Sequence, residues 1–256
     1  MARSLRLGIV LLMIAWMIRL PFLTFHSVWL DEAVAIWVAQ LPLPVLLERT
    51  MAFKEEASPP LYFLLLKGWM ALAGDGEFAV RFFSAWWGVF GLAWLWRLGA
   101  LISRRSTRSI ALALGASQPY LIWFAQEARV YGLLFALSAM STVWLLKALR
   151  GTHSRWWLLY ILTVTAACYV HLTAIFLLIA HLGLAFAAGR PIWSFREGRW
   201  AMAFLALAGA PLAWRAWSGQ REAILWWNPP LPPFDALRWV LETWTVYKAL
   251  GKFYEI

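Results

Sequence analysis

Two adjacent carboxylates, Asp31 and Glu32, follow a long apolar run in "FHSVWLDEAVAIW". A carboxylate held at a membrane–water boundary can act as general base or bind a cation, with a pKa tuned by partial burial and neighbours. The same pair also suits the first turn of a helix, where the macrodipole favours acids. A second group, "FAQEARVYG", brings Gln126, Glu127, Arg129 and Tyr131 together. It offers another carboxylate and a guanidinium, or else an ordinary hairpin with a solvated Glu–Arg pair worth little energetically. Arg81 follows "GDGEFAV". With Arg129 it could hold a phosphate by forked hydrogen bonds, or it could simply anchor a helix at the interface. Lys54 and Lys67 are weaker candidates for the same contact. His171, in "CYVHLTAIF", and His26 fall at expected helix ends, where histidine also serves as an interfacial or core side chain. His181 is expected mid-membrane and His153 in a loop, and no pair has metal-ligand spacing. There is no P-loop, GxGxxG, HExxH or CxxC, so soluble nucleotide and metalloprotease chemistry lacks its usual signatures.

These groups need elements to position them, and composition says which kind. The chain is 62% hydrophobic and 14% charged, against roughly 45–50% and about 25% in soluble domains. Twenty tryptophans fit a bilayer, because Trp concentrates at headgroup depth. The net charge of +10 would suggest nucleic acid in a soluble protein. Here it is absorbed by cytoplasmic loops, and nucleic acid is not expected as a partner. The lone Cys168 excludes an intrachain disulfide and any multi-cysteine metal site. The N-terminal "MARSLRLG" resembles the start of a signal peptide, but the apolar run at 7–25 is long and no small-residue cleavage pattern follows, so it reads as a retained helix. The expected fold is an all-α polytopic membrane protein, a single transmembrane domain over 1–256. About seven spans are expected, at 7–25, 80–101, 109–125, 130–148, 156–171, 173–189 and 200–217. Arg19 is expected to snorkel to the outer end of the first.

The run "SPPLYFLLLKGWMALAG" starts at Pro59 and Pro60, contains Lys67 and is short for a span, so it reads as re-entrant or interfacial. Charge parity agrees. With that run not spanning, Arg3, Arg6, Arg104, Arg105, Arg108, Lys147, Arg150, Arg155, Arg190, Arg196 and Arg199 share one side with Glu197. The other acids fall opposite. The lysine and arginine bias then puts the N-terminus in the cytoplasm and the loop at 26–79 outside. Within that loop, "LDEAVAIWVAQ" carries an apolar stripe and reads as a helix lying on the membrane surface. The Pro-rich "WWNPPLPPF" at 226–234, within an outer segment at 218–256, reads as a semi-rigid cover or a linker. Asp31, Glu32, Glu127, Arg81, Arg129 and His171 are thus expected at one membrane face, over an apolar groove. That suits a lipid-linked phosphate substrate.

"WLDEAVAIW", "SPPLYFLLLKGWMALAGDGEFAVRFFSAWWGVFGL" and "SQPYLIWFAQEARVYGLLFALSAM" occur in this order. Together the chain resembles the GT-C polyprenyl-phosphate-sugar glycosyltransferases of the protein O-mannosyltransferase and aminoarabinose-transferase type, over roughly residues 1–190. The resemblance implies Asp31 as catalytic base with Glu32 as partner. It implies Glu127, Arg129 and Tyr131 from the second outer loop, with Arg81, His171, Pro59 and Pro60 at the substrate. Ser58 stands where many aminoarabinose-type members carry Lys. The implied donor is a dolichyl- or undecaprenyl-phosphate sugar, and the acceptor a hydroxyl of a glycan, lipid or protein. The implied location is the cell (inner or plasma) membrane. No cofactor is required, although some members use a divalent cation, for which Asp31 and Glu127 would be the ligands. Family members have more spanning helices and often a C-terminal outer domain, so the chain is expected to be the N-terminal part of a longer enzyme. The rival readings are a transporter or flippase for lipid-linked sugars and a membrane scaffold. A transporter would place charge at the bilayer midplane, and a scaffold would tolerate loss of Asp31 and Glu127 together.

Overall fold

The computed structural model describes residues 2–21, 23–52, 58–102, 105–151, 153–218 and 234. Among these, the regular elements are helical: α1 (Ala2–Arg19), α2 (Leu30–Gln40), α3 (Leu43–Ala52), α4 (Leu61–Ala73), α5 (Glu77–Ile102), α6 (Arg105–Ser117), α7 (Pro119–Ala125), α8 (Tyr131–Leu149), α9 (Arg155–Val170), α10 (Ala174–Ala187), a 3-10 turn (Ile192–Ser194) and α11 (Arg196–Ser218). The fold is therefore all-helical, as expected, with no strand among the described residues. The segment expected at 226–234, save Phe234, and the rest of the tail lie outside the described residues, as do Lys54, Glu55, Glu56 and Arg104.

The centre is the parallel pair α5 and α8, the two helices long and apolar enough to cross a membrane. Small residues let them touch. A Cβ on Gly91 would sit 2.5 Å from the Phe135 ring, and one on Gly132 would sit 2.6 Å from the Ser84 carbonyl. Such close approach is how apolar helices gain packing energy without a hydrophobic drive between them. Hydrogen bonds fix the pair at both ends. Ser84 Oγ donates to the Arg129 carbonyl at 3.2 Å, and Arg150 Nη2 donates to the Leu101 carbonyl at 2.8 Å. α9 runs back along α8, with Tyr131 near His171 at one end and Trp144 stacked on Trp156 at the other. Arg190 reaches the Leu149 carbonyl at the second end. Asp31 and Glu127 therefore gather at one end of the bundle, and the basic loops at the other. Outward faces are apolar: Met13, Met17, Leu114, Phe176, Ile179 and Leu207 are all exposed.

Three expectations change. The run at 109–125 is not one helix but two, broken at Gln118–Pro119, because Pro119 has no N–H to continue the ladder. Arg19 does not snorkel. It is 1% exposed and turns inward to the end of α6, donating to the Ala116 carbonyl at 3.1 Å and the Gly115 carbonyl at 3.4 Å. The first helix ends at Arg19 rather than continuing to residue 25. α4, α9 and α10 are apolar but shorter than α5 and α8.

The 13-residue α4 is about 20 Å long, less than the roughly 30 Å of a hydrocarbon core. Its Trp69 stacks on Phe82 near the start of α5 and donates Nε1–H to the Ala79 carbonyl. The charge inside it also has a reason. Lys67 Nζ donates to the Leu41 carbonyl at 2.9 Å and the Ala39 carbonyl at 3.1 Å, closing the C-terminus of α2. A cation there both satisfies orphan carbonyls and meets the negative end of the helix dipole.

Candidate active site

α2 begins at Leu30, so Asp31 and Glu32 occupy its first turn. One step along a helix turns a side chain by about 100°, and the two acids diverge accordingly. Glu32 points into the protein and is 0% exposed. Its Oε1 accepts Arg81 Nε at 2.9 Å and the Ala128 N–H at 2.7 Å. Its Oε2 accepts Arg81 Nη2 at 2.6 Å and, at 3.4 Å, the Trp29 N–H. That last contact is the N3-to-N-cap half of a capping box. Four donors use the lone pairs of one carboxylate.

Arg81 is equally committed. Its Nη1 donates to the carbonyls of Leu23 and His26, each at 2.7 Å, and its Nη2 also donates to Ser27 at 3.2 Å. With the two bonds to Glu32, all five guanidinium N–H groups are used inside the protein. In this arrangement the hydrogen bonds of both side chains are made within the protein. Together they tie the turn after α1, the head of α2, the head of α5 and the loop before α8 into one buried knot. Buried charges persist only when paired and fully hydrogen-bonded in this way.

Asp31 points the other way, and its side chain is 46% exposed. Arg129, itself nearly buried, donates Nη1–H to the Asp31 carbonyl at 3.0 Å and places Nη2 3.7 Å from the carboxylate. Glu127 sits two residues before Arg129. Its carboxyl takes a hydrogen bond from Trp123, and its Oε2 is buried with no hydrogen-bond partner among the described residues. Burial pushes its pKa up to about 7, helped by the charges of Glu32 and Asp31 and opposed by the Trp123 bond and by Arg129. The site thus holds one exposed carboxylate, one guanidinium and one carboxyl that exchanges its proton near neutrality.

Tyr131 opens α8 with its ring 4.3 Å from Phe124 and 6.3 Å from His171. His171 ends α9, and its Nδ1 accepts the Thr173 N–H at 3.2 Å. The Phe124, Tyr131 and His171 rings thus form a row at this end of the bundle. Pro59 and Pro60 are buried at the head of α4, with Pro60 at helical φ −70° and ψ −21°. They start a helix and present little surface to a substrate. Three residues that position the site were not read as such: Arg19, Lys67 and Gln126. The signal was present for two of them, a cation inside each of two apolar helices. Gln126 stood out only as a member of the polar turn, and its partners, backbone carbonyls, leave no side-chain pattern. A divalent cation finds a poor cage here. Among the described residues no three His, Cys, Asp or Glu side chains gather, and a guanidinium already lies against Asp31.

The model of the dolichyl-phosphate-mannose-protein mannosyltransferase family matches residues 57–214. The chain belongs to that family. Comparison with curated proteins and with solved structures returned no match. Membership makes the chain a GT-C-like membrane glycosyltransferase, of a family whose donors are lipid-linked sugars. The match begins after Asp31, so the α2 acids join the family's region only through the fold. Glu32 bonded to Arg81 and to the Ala128 amide, and Asp31 facing Arg129, are the contacts that bring them there.

Proposed function

We propose that the chain transfers a hexosyl group from a polyprenyl-phosphate donor to an acceptor hydroxyl, with Asp31 as base. The observation that carries this reading is the split between neighbours: Glu32 is locked in a saturated buried knot, while Asp31 beside it stays exposed and faces Arg129. In one displacement, the Asp31 carboxylate takes the acceptor O–H proton. The acceptor oxygen bonds to the anomeric carbon, and the bond from that carbon to the phosphate oxygen breaks. Polyprenyl phosphate leaves with the electron pair. Arg129 is the guanidinium placed to receive the developing phosphate charge, an interaction that strengthens at a dry boundary. Glu127, neutral in part near pH 7, keeps a second full negative charge away from that phosphate. Tyr131 and His171 wall the sugar. No step needs a metal.

The topology that serves this reaction has about seven membrane crossings, the N-terminus in the cytoplasm and the site on the outer face of the cell membrane. The parity of basic residues supports it, since Lys147, Arg150, Arg155 and Arg190 lie at the end away from Asp31.

The test uses the purified chain in proteoliposomes with a radiolabelled hexosyl polyprenyl phosphate. Release of polyprenyl phosphate that depends on an acceptor is expected, with none from a nucleotide sugar. Turnover from the nucleotide sugar alone would overturn the reading, as would sugar-lipid translocation with no bond broken.

A further inference from the structure

Arg19 meets the chain on both sides of the short helix α7: its guanidinium takes the last carbonyls of α6 just before it, and its own carbonyl accepts from Gln126 just after it; Glu127 follows closely. We propose that Arg19 and Gln126 are positioning residues for Glu127, acting through α7; this rests on the transferase reading above.

The head of α7 follows a break. In a continuous helix the Gly115 carbonyl would accept the N–H of residue 119, but Pro119 has none. The Ala116 carbonyl would accept from Tyr120, which instead begins a new helix. Both carbonyls would be orphaned in an apolar setting, where an unsatisfied backbone group is costly. The Arg19 guanidinium takes them, with Nη1 also held on the Ala15 carbonyl of its own helix at 3.2 Å. A buried cation in an apolar helix is expensive to keep, and here it replaces the hydrogen bonds that a proline removed.

The tail of α7 returns to the same place. Gln126 Nε2 donates to the Arg19 carbonyl at 3.1 Å and to the Pro21 carbonyl at 3.2 Å. Between head and tail, Ala125 packs so tightly on α5 that a Cβ at Gly88 would lie 2.8 Å from its own. α7 also carries Trp123, the residue hydrogen-bonded to the Glu127 carboxyl. A shift of α7 would therefore move Glu127 and its partner together. The first outer loop reaches Glu127 by a separate route, through Glu32 and the Ala128 amide. The α7 bracket can thus fail without unmaking the Glu32–Arg81 knot.

The test is hydrogen exchange on the full chain in detergent, with turnover measured alongside. In Arg19→Met, amides over 117–128 should exchange at least tenfold faster while those of α8 do not change. Turnover should fall at least tenfold in kcat with little change in KM, and Arg19→Lys should recover part of both. Gln126→Leu, which leaves the guanidinium in place, should give the same pattern more weakly, and it carries the test if Arg19→Met does not fold. Unchanged exchange over 117–128 in a folded variant would overturn the proposal. So would faster exchange spread evenly over the molecule, the mark of a merely structural arginine. If the wild-type chain shows no transfer at all, the exchange result still decides the bracket, and only the transferase reading fails.

Discussion

The two ends of the bundle differ in how they hold charge. At the Asp31 end, charges are buried and held by short directional bonds: Glu32 to Arg81 at 2.6 Å, and Arg19 to the end of α6. At the far end Arg150 and Arg190 also bond backbone carbonyls, at 2.8 and 2.6 Å, but three other cations lie on tryptophan faces. Lys147 Nζ is 4.8 Å from the Trp144 ring and 4.1 Å from Trp156, Arg155 is 4.5 Å from Trp156, and Arg108 is 4.8 Å from Trp96. The first arrangement defines positions to fractions of an ångström, because hydrogen bonds weaken steeply with angle and distance. The second tolerates sliding, because a ring face attracts a cation over a broad area. A reaction needs the first kind of order, and anchoring at headgroup depth needs only the second.

The difference can be measured. Glu32→Ala should be the most damaging single change, since it leaves Arg81 charged and unpaired at 4% exposure. A loss of about 3–5 kcal/mol is expected for such a broken pair, read as collapse of thermal stability in detergent together with activity. Arg81→Met should do the same.

Glu127→Gln is next, and its sign depends on pH. The folded-state pKa of about 7 lies above the ordinary glutamate value of 4.5, so the protonated form is the one the fold favours. That contribution is complete below about pH 4.5 and is lost as pH rises through 7. The glutamine variant should therefore match the wild type at about pH 5 and exceed it at about pH 8.5, by at most about 3 kcal/mol, the free energy that separates the two pKa values. Melting curves at the two pH values check this. Equal gaps at both would show that Glu127 titrates as an ordinary surface carboxyl.

Lys67→Met removes the closure of α2 and should cost about 1–2 kcal/mol, with turnover falling because α2 carries Asp31. Lys147→Met, at the far end, should cost about 0.5–1 kcal/mol and leave turnover unchanged. A large loss of turnover in that variant would mean that the two ends are coupled.

Much of this arrangement was legible in the sequence, but not its finer division. Composition and charge parity gave an all-helical bundle with Asp31, Glu127, Arg129, Tyr131 and His171 at one end, and their neighbourhood followed from loop alternation alone. The fate of Glu32 did not follow. Adjacent residues in a first helical turn differ by a rotation, and which of the two turns inward depends on Arg81 arriving from α5, 49 residues away. The break at Gln118–Pro119 was written in the proline, yet the apolar run around it reads as one span unless Arg19 is seen as the partner of the orphaned carbonyls. Lys67 looked out of place in α4 for the same reason. Its partners, the last carbonyls of α2, are set by tertiary packing and carry no side-chain signature.

The division of labour between Asp31 and Glu32 is tested most directly by turnover per folded molecule in Asp31→Asn. A fall of about 10²–10⁴-fold, the usual worth of a general base, is expected, with the melting temperature unchanged because the Asp31 side chain is 46% exposed. Undiminished turnover would contradict the assignment, as would a melting temperature that drops as far as in Glu32→Ala.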